Sequence, residues 1–478
     1  MAQRTSEISE NAIELITADR SPHYEPFGWH HWPEHPWTSY QFRRGLGESQ
    51  EGGGAVSEIM QAGSRMIPGD LESWHVEWMR IADRNWKRGL AEEAAGHIRT
   101  AMNCFLRAAD YYRQAEFHLD PDDPRRLPTF EKMEACSQKF ISYLNPPGEV
   151  VDIPYEPGKP ICGYFVRAPF PGKKLPVLIC MGGLDSIKDE MWFMQAHGCL
   201  QRGISVLMID GPGQGGTLRR HKVYTRHDSE VPIGKCIDWL EQRDDVDARR
   251  IAVCGSSMGG YYAARAACYE HRLAAAISHG AIWSVHDMWG AKGDDFGLAM
   301  HIRWVFGAKS MREAHEKMKP FTLEGHLEHM KCPYLVLHGG HDVLPPGGHA
   351  CELDGSLDRL GAGIAEEESI DPLRRYPVQA LQAPGPRIVV EQLIARDETG
   401  RLGLDGRHHG GVTMANVRHT DAAHAVHVLP SGIVPDPGAF AAYDDEVALL
   451  IHADGEPIFD SLAIHGASHY LYDVRLFY

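Results

Sequence analysis

Basic residues are in short supply in this chain. Lys and Arg number 48 against 65 Asp and Glu, for a net charge of -17. That balance argues against a nucleic-acid or anionic-membrane surface. No run of about eighteen apolar residues occurs, which excludes a membrane-spanning helix of the usual kind. Met1 to Arg20 is polar and acidic and lacks an apolar core, so no signal peptide is expected. The ten cysteines form no Cys-x-x-Cys pair. Scattered in a chain of this size, they fit reduced, mostly buried thiols and a cytoplasmic protein. Histidine is absent between Ala350 and Arg407, although the chain holds 28 in all. What remains is ordinary for a globular protein, 43% hydrophobic and 24% charged over 478 residues, enough for two or three domains.

The chain is organised around Arg250-Ile-Ala-Val-Cys-Gly-Ser-Ser-Met-Gly-Gly260. Ile251 to Cys254 is a short apolar, β-branched run that reads as a buried strand. Gly255-x-Ser257-x-Gly259 follows at once, and Tyr261 to Tyr269 is Ala-rich and reads as a helix. A strand, Gly-x-Ser-x-Gly and a helix make a nucleophile elbow, a turn too tight for side chains at its flanks. Gly255 and Gly259 meet that need, and Ser257 is lifted clear of the backbone.

The rest of the chain falls into four stretches. Residues 1–40 read as an N-terminal arm, with an aromatic segment from His23 to Trp37. His30, His31 and His35 match no metal-ligand spacing, and Pro interrupts them, so packing on the body or on a partner subunit is expected. Gly45 to Gly54 reads as a flexible connector. Residues 41–148 otherwise read as an all-helical cap. Trp74, Trp78, Ile81 and Trp86 recur near helical spacing, as do Ile98, Met102, Phe105 and Ala109, with Asp70 and Ser73 as N-cap candidates. A further helix over 129–143 stops at Asn145-Pro-Pro-Gly148. From 149 to 345 the pattern becomes a hairpin and then apolar strands alternating with helices. That predicts an α/β fold, a mostly parallel sheet wound on both sides, with ligands at the C-terminal strand ends.

Each strand end carries something chemical. Met181-Gly-Gly-Leu-Asp185 ends one strand, and its small residues free a backbone N–H. Leu184 and Met258, the residue after the nucleophile, are the expected oxyanion-hole donors. Asp210-Gly-Pro-Gly-Gln-Gly215 has a phosphate-loop look but lacks the Gly-Lys-Ser/Thr ending, so it reads as a structural turn beside the pocket. His338-Gly-Gly-His-Asp342 ends the last clear strand, where a triad carboxylate belongs.

Taken together, these motifs resemble the α/β-hydrolases related to 2,6-dihydroxypseudooxynicotine hydrolase and the fungal polyketide-shortening hydrolases of pigment synthesis. The shared pieces are the helical cap, Gly255 to Gly259, Gly182-Gly-Leu-Asp-Ser186, Asp210 to Gly215, and His338 to Asp342. The resemblance implies hydrolysis of a carbon–carbon bond next to a ketone, or of an ester or thioester, with a small-molecule substrate, no cofactor or metal, and frequent homodimers. It also implies an extra acid in the segment His286 to Asp295, for which Asp287 is a candidate.

Residues 346–478 depart from the pattern. Strand-like runs occur at 387–394, 423–429 and 446–452, among eight histidines from His408 to His469. Gly466-Ala-Ser-His469-x-x-x-Asp473 looks like the family's triad-His segment, so His469 is the expected base, with His408 and His409 as rivals. The expected triad is therefore Ser257, Asp342 and His469. Two other readings stay open. One is a hydrolase-fold binding protein without a working His, the tail being a foreign sequence. The other is metal-assisted chemistry built on the tail histidines.

Overall fold

The computed structural model describes residues 31–338 and the short strand segments 388–392, 417–418, 427–428, 447–448 and 462–463. Among the described residues, five α-helices precede the strands: α1 (Pro36–Glu48), α2 (Val56–Gly63), α3 (Leu71–Ala94), α4 (Ile98–Phe117) and α5 (Arg126–Ser142). Asp70 caps α3, its carboxylate accepting from the N–H groups of Glu72 (2.9 Å) and Ser73 (3.3 Å). Trp74, Trp78 and Ile81 then fall on one face of α3 and bury against Phe42, Tyr111 and Phe130. Helix α4 is buried nearly all round from Cys104 to Phe117, although it carries Asp110, Arg113, Gln114 and Glu116 there. Buried charges need partners; Arg113 finds its own in the strand-bearing part of the chain, and Glu116 finds one there besides Arg126 of α5 at 2.6 Å. Glu116 pairs with Arg219 at 2.8 Å, and Arg113 with Glu190 at 2.8 Å.

The aromatic segment packs on the helices. His31 stacks on Phe42 with ring centroids 4.3 Å apart, and Trp32 lies 5.1 Å from the same ring. Two expectations need correction. Helix α1 starts inside the expected arm, because Pro36 at its first turn is pre-set for helical φ and has no N–H to waste. The same helix runs through Gly45, which is therefore no flexible connector. A Cβ there would stand 3.0 Å from the Trp78 ring, so glycine is what lets α1 approach α3.

The sheet contains β1 (Glu149–Glu156), β2 (Lys159–Val166), β3 (Leu175–Met181), β4 (Ser205–Asp210), β5 (Val246–Ser256), β6 (Ala275–His279), β7 (Tyr334–His338) and β8 (Ile388–Gln392). Its order is β1-β2-β4-β3-β5-β6-β7-β8. β1 and β2 form the expected antiparallel hairpin, β2 runs antiparallel to β4, and every later pairing is parallel. The central strands are buried on both faces. In β3, Val177, Ile179 and Met181 enter one apolar cluster, while Leu178 and Cys180 enter another across the sheet. That is why such strands read as unbroken apolar runs rather than as an alternation. β8 pairs with β7 from Tyr334↔Ile388 to His338↔Gln392, so part of the atypical C-terminal region extends the same sheet. Among the described residues, no helix is long and apolar enough to cross a membrane.

Among the described residues, seven α-helices connect the strands: α6 (His197–Leu200), α7 (Gly215–Arg219), α8 (Glu230–Leu240), α9 (Met258–Tyr269), α10 (Val285–Trp289), α11 (Ala299–Val305) and α12 (Met311–Met318). The parallel strands β3 to β7 all end on one side of the sheet, at Met181, Asp210, Ser256, His279 and His338. The motifs that start at Met181, Asp210 and Gly255 stand at or just past these ends.

Candidate active site

Ser257 sits between β5 and α9 with φ 58° and ψ -123°. A non-glycine residue with φ this positive is strained by roughly 1–3 kcal/mol, which the surrounding structure must impose. Two backbone hydrogen bonds hold it: its N–H donates to the His279 carbonyl at 2.7 Å, and its carbonyl accepts from the Gly260 N–H at 2.7 Å. The flanking glycines are compulsory. A Cβ on Gly255 would land on the Gly259 carbonyl, and one on Gly259 would stand 2.6 Å from the Gly182 oxygen. Between residues 251 and 268, Ser257 alone is exposed. Its neighbour Ser256 is buried and accepts a 3.1 Å hydrogen bond from Gln195 Nε2. Of the two adjacent serines, Ser257 is the exposed one, although both border the cleft.

The Gly182-Gly183-Leu184 segment after β3 lies directly against this turn. A Cβ on Gly183 would stand 2.9 Å from Ser257 Cβ and 3.2 Å from the Met258 nitrogen. The Met258 N–H is the first of helix α9, one of the donors that a helix start leaves without an internal partner. Among the described residues, neither this N–H nor that of Leu184 donates to a backbone or side-chain acceptor. The elbow, the glycine pair and two available N–H groups thus share one site.

A cleft of about 90 Å³ opens above Ser257. Leu184, Asp185 and Ser186 line it from the β3 end, and Ile282, Met288, Trp289, Phe296 and Leu298 from the segment after β6. Helix α1 supplies Trp37, Tyr40, Gln41 and Arg44, so helices from before the sheet roof the site. The cleft is mostly apolar and aromatic, with one ion pair at its edge. Arg44 Nη1 meets Asp185 at 2.6 Å while its Nη2 reaches Glu190 at 3.1 Å. Burial alone would raise the Asp185 pKa; Arg44 and Arg113 overcome it and hold the carboxyl at about 2. Asp185 is therefore an ionised acceptor throughout the neutral range.

The turn after β4 is built as a brace. Asp210 is fully buried and accepts from Lys188 N (2.7 Å), Lys188 Nζ (3.1 Å) and Gly216 N (2.8 Å). Lys188 Nζ also reaches Glu134 of α5 at 2.6 Å and Asp189 at 3.1 Å, tying the helical layer to the strand ends. The reading of 210–215 as a structural turn beside the pocket agrees with this.

The other site residues expected from sequence divide in two. Asp287 is exposed, lies 3.4 Å from His286, and is not among the residues that line the cleft, unlike its neighbours Met288 and Trp289. The acid beside the cleft is Asp185 instead. Asp342, His469, His408 and His409 lie outside the described residues. The contributions of Trp37, Tyr40 and Arg44 were hidden by reading 1–40 as an arm and Gly45 as part of a linker. The Asp185–Arg44 pair joins residues 141 positions apart and has no local signal.

The chain is similar to known proteins. A family model described as FrsA-like esterase matches residues 69–295. The alpha/beta hydrolase xenA of Xenoacremonium sinensis is 35% identical over 263 residues, covering 52% of this chain and 60% of that relative. The hydrolase acrC of Aspergillus aculeatus is 32% identical over 348 residues, covering 62% of this chain and 81% of its own length. Among solved structures, 2,6-dihydroxy-pseudo-oxynicotine hydrolase aligns with a TM-score of 0.59 at 26% identity, covering 72% of this chain and 88% of that one.

Proposed function

We propose, from the premise that this chain belongs to the α/β-hydrolase family with these fungal hydrolases, that it is a serine hydrolase acting through Ser257. The observation that carries the reading is the strained, exposed Ser257 set beside two available backbone N–H groups. In this mechanism a histidine removes the hydroxyl proton as Oγ attacks the substrate carbonyl. The N–H groups of Leu184 and Met258 receive the oxyanion. Collapse breaks the bond to the leaving group, which takes the proton from the imidazolium. Water, deprotonated by the same His, then releases the acid and restores Ser257. Asp342 fixes the His tautomer and stabilises its cation.

The substrate class is a carbon–carbon bond beside a ketone, as in a β-diketone or aryl ketone, or else an ester or thioester. The likeness to 2,6-dihydroxy-pseudo-oxynicotine hydrolase supports the ketone choice, and the aromatic walls of Trp37, Tyr40, Trp289 and Phe296 suit a flat, apolar acyl or aryl part. In the ketone case the leaving group is an enolate carbon, and the proton returned by His quenches it.

The base comes from beyond the described core. His469 is the choice on motif; His408 and His409 are the first histidines after β8 in chain order, and β8 ends on the same side as the site. The test is hydrolysis of a p-nitrophenyl ester and an aryl 1,3-diketone by Ser257→Ala, Asp342→Asn, His469→Asn, His408→Asn and His409→Asn. Ser257→Ala is expected to remove nearly all turnover of both, and one His variant to match it. Turnover surviving in Ser257→Ala overturns the reading.

A further inference from the structure

The turn after β4 holds a carboxamide whose two N–H groups and oxygen are all engaged by backbone. Gln214 is 2% exposed. Its Nε2 donates to the carbonyls of Gly182 (2.6 Å) and Gly183 (2.8 Å), and its Oε1 accepts from the Gly211 N–H (3.0 Å). The reverse amide orientation would press Oε1 against two carbonyl oxygens and Nε2 against an N–H, so the partners fix it. The backbone of Gln214 is seated as well. Its N–H donates to Gly211 O at 2.9 Å and its carbonyl accepts from Leu218 N at 2.8 Å.

The consequence follows from peptide geometry. In a trans peptide unit the C=O and the following N–H point in opposite directions. Pinning the Gly183 carbonyl onto Gln214 sends the Leu184 N–H the other way. Leu184 borders the cleft that contains Ser257, and the Gly183 Cα faces Ser257. Two successive glycines rotate their peptide units cheaply, so without a clamp this N–H would sample several directions. Oxyanion stabilisation needs the donor aimed before the charge develops.

We infer that Gln214 is a positioning residue: through the carbonyls of Gly182 and Gly183 it aims the Leu184 N–H at the oxyanion. The inference rests on the serine-hydrolase reading of the same site. It assigns a function to the Gln of Asp210-Gly-Pro-Gly-Gln-Gly215, beyond closing a turn.

The test uses the full chain and a fluorophosphonate probe, whose attack by Ser257 develops negative charge on a phosphoryl oxygen. Gln214→Met keeps the volume and removes the donors. Gln214→Glu keeps the shape and sets a carboxylate against two carbonyls. Both variants are expected to lower the maximal labelling rate constant roughly 10- to 100-fold, with the concentration for half-maximal rate held within about twofold. Gln214→Glu should be at least as slow as Gln214→Met. Partial unfolding lowers the labelled fraction but not the rate constant, so a loss of that kind counts against the clamp. Wild-type rate constants in both variants, or a loss confined to probe affinity, overturn it and leave the nucleophile standing. If the wild-type chain does not label at Ser257, the serine reading falls and the clamp falls with it.

Discussion

Gly183 shows how little freedom the site has at the scale of single residues. Its missing side chain is the space that Ser257 Cβ and the Met258 nitrogen occupy. Gly183→Ala forces Ser257 Cβ or the Ser256 carbonyl, 2.9 and 3.0 Å from the added Cβ, to shift. It should cost on the order of 10²-fold in turnover, the usual result of a small misplacement of reacting groups. Wild-type turnover in that variant, measured on the same ester, would show that the segment does not touch the chemistry. The elbow was legible in sequence because its chemistry is local: tight-turn glycines two residues either side of a serine, between a strand and a helix. The place of Leu184 at the cleft was legible for a related reason, since it follows two glycines at the end of a buried strand. Gln214 was not. Its partners are 31 and 32 residues away, and nothing in a Gly-Pro-Gly-Gln turn announces which carbonyls the amide will meet.

Among the elements, the ties between the helical layer and the strand ends carry the site. Lys188 is 2% exposed and holds Glu134 of α5 together with Asp189 and Asp210. Lys188→Met would take the cation from buried Asp189 and Asp210 and leave buried Glu134 with Arg220 alone. Breaking a buried cluster in this way costs about 3–5 kcal/mol, readable in chemical denaturation; a change below about 1 kcal/mol would mean that the cluster is wet and weak. The aromatic layer makes a second prediction. Trp74 is 1% exposed and donates its indole N–H to the Gln114 carbonyl at 2.7 Å. Trp74→Ala should cost about 3–5 kcal/mol from the cavity, with the Gln114 carbonyl left unpaired in addition. The helices and parallel strands were readable because their periods are strong. Helix α1 was not, since Gly45 in its last turns signals a linker when read locally. Only the approach of Trp78 shows why glycine is there.

Over the whole molecule, two histidines enclosed near the boundary between the helical layer and the sheet make stability depend on pH. His118 and His301 are each pushed down to about 3, first by burial; the neighbouring His301 charge adds to the effect on His118, and Arg126 to that on His301. Both are neutral in the folded chain, whereas the unfolded chain protonates them near 6.5. Their contribution is therefore complete above about pH 6.5 and is lost as pH falls from there toward about 3, since the unfolded state binds the extra protons. Glu116, held at about 2 by Arg126 and Arg219 against the effect of burial, adds a loss of the same sign at lower pH. His118→Asn with His301→Asn should weaken the histidine part of that loss, read as a melting temperature that falls less between pH 6.5 and 4 than in the wild-type chain, while buried Glu190, raised to about 7, and buried Asp110, also raised, act in the opposite sense; an unchanged slope in the double variant would contradict the assignment. The central claim concerns Ser257 alone, and its most direct measurement is peptide mapping by mass spectrometry after fluorophosphonate treatment of the native chain. One phosphonyl adduct is predicted, on Ser257, absent from Ser257→Ala and from unfolded protein. An unmodified Ser257, or an adduct on Ser256 or another residue in its place, would contradict the account.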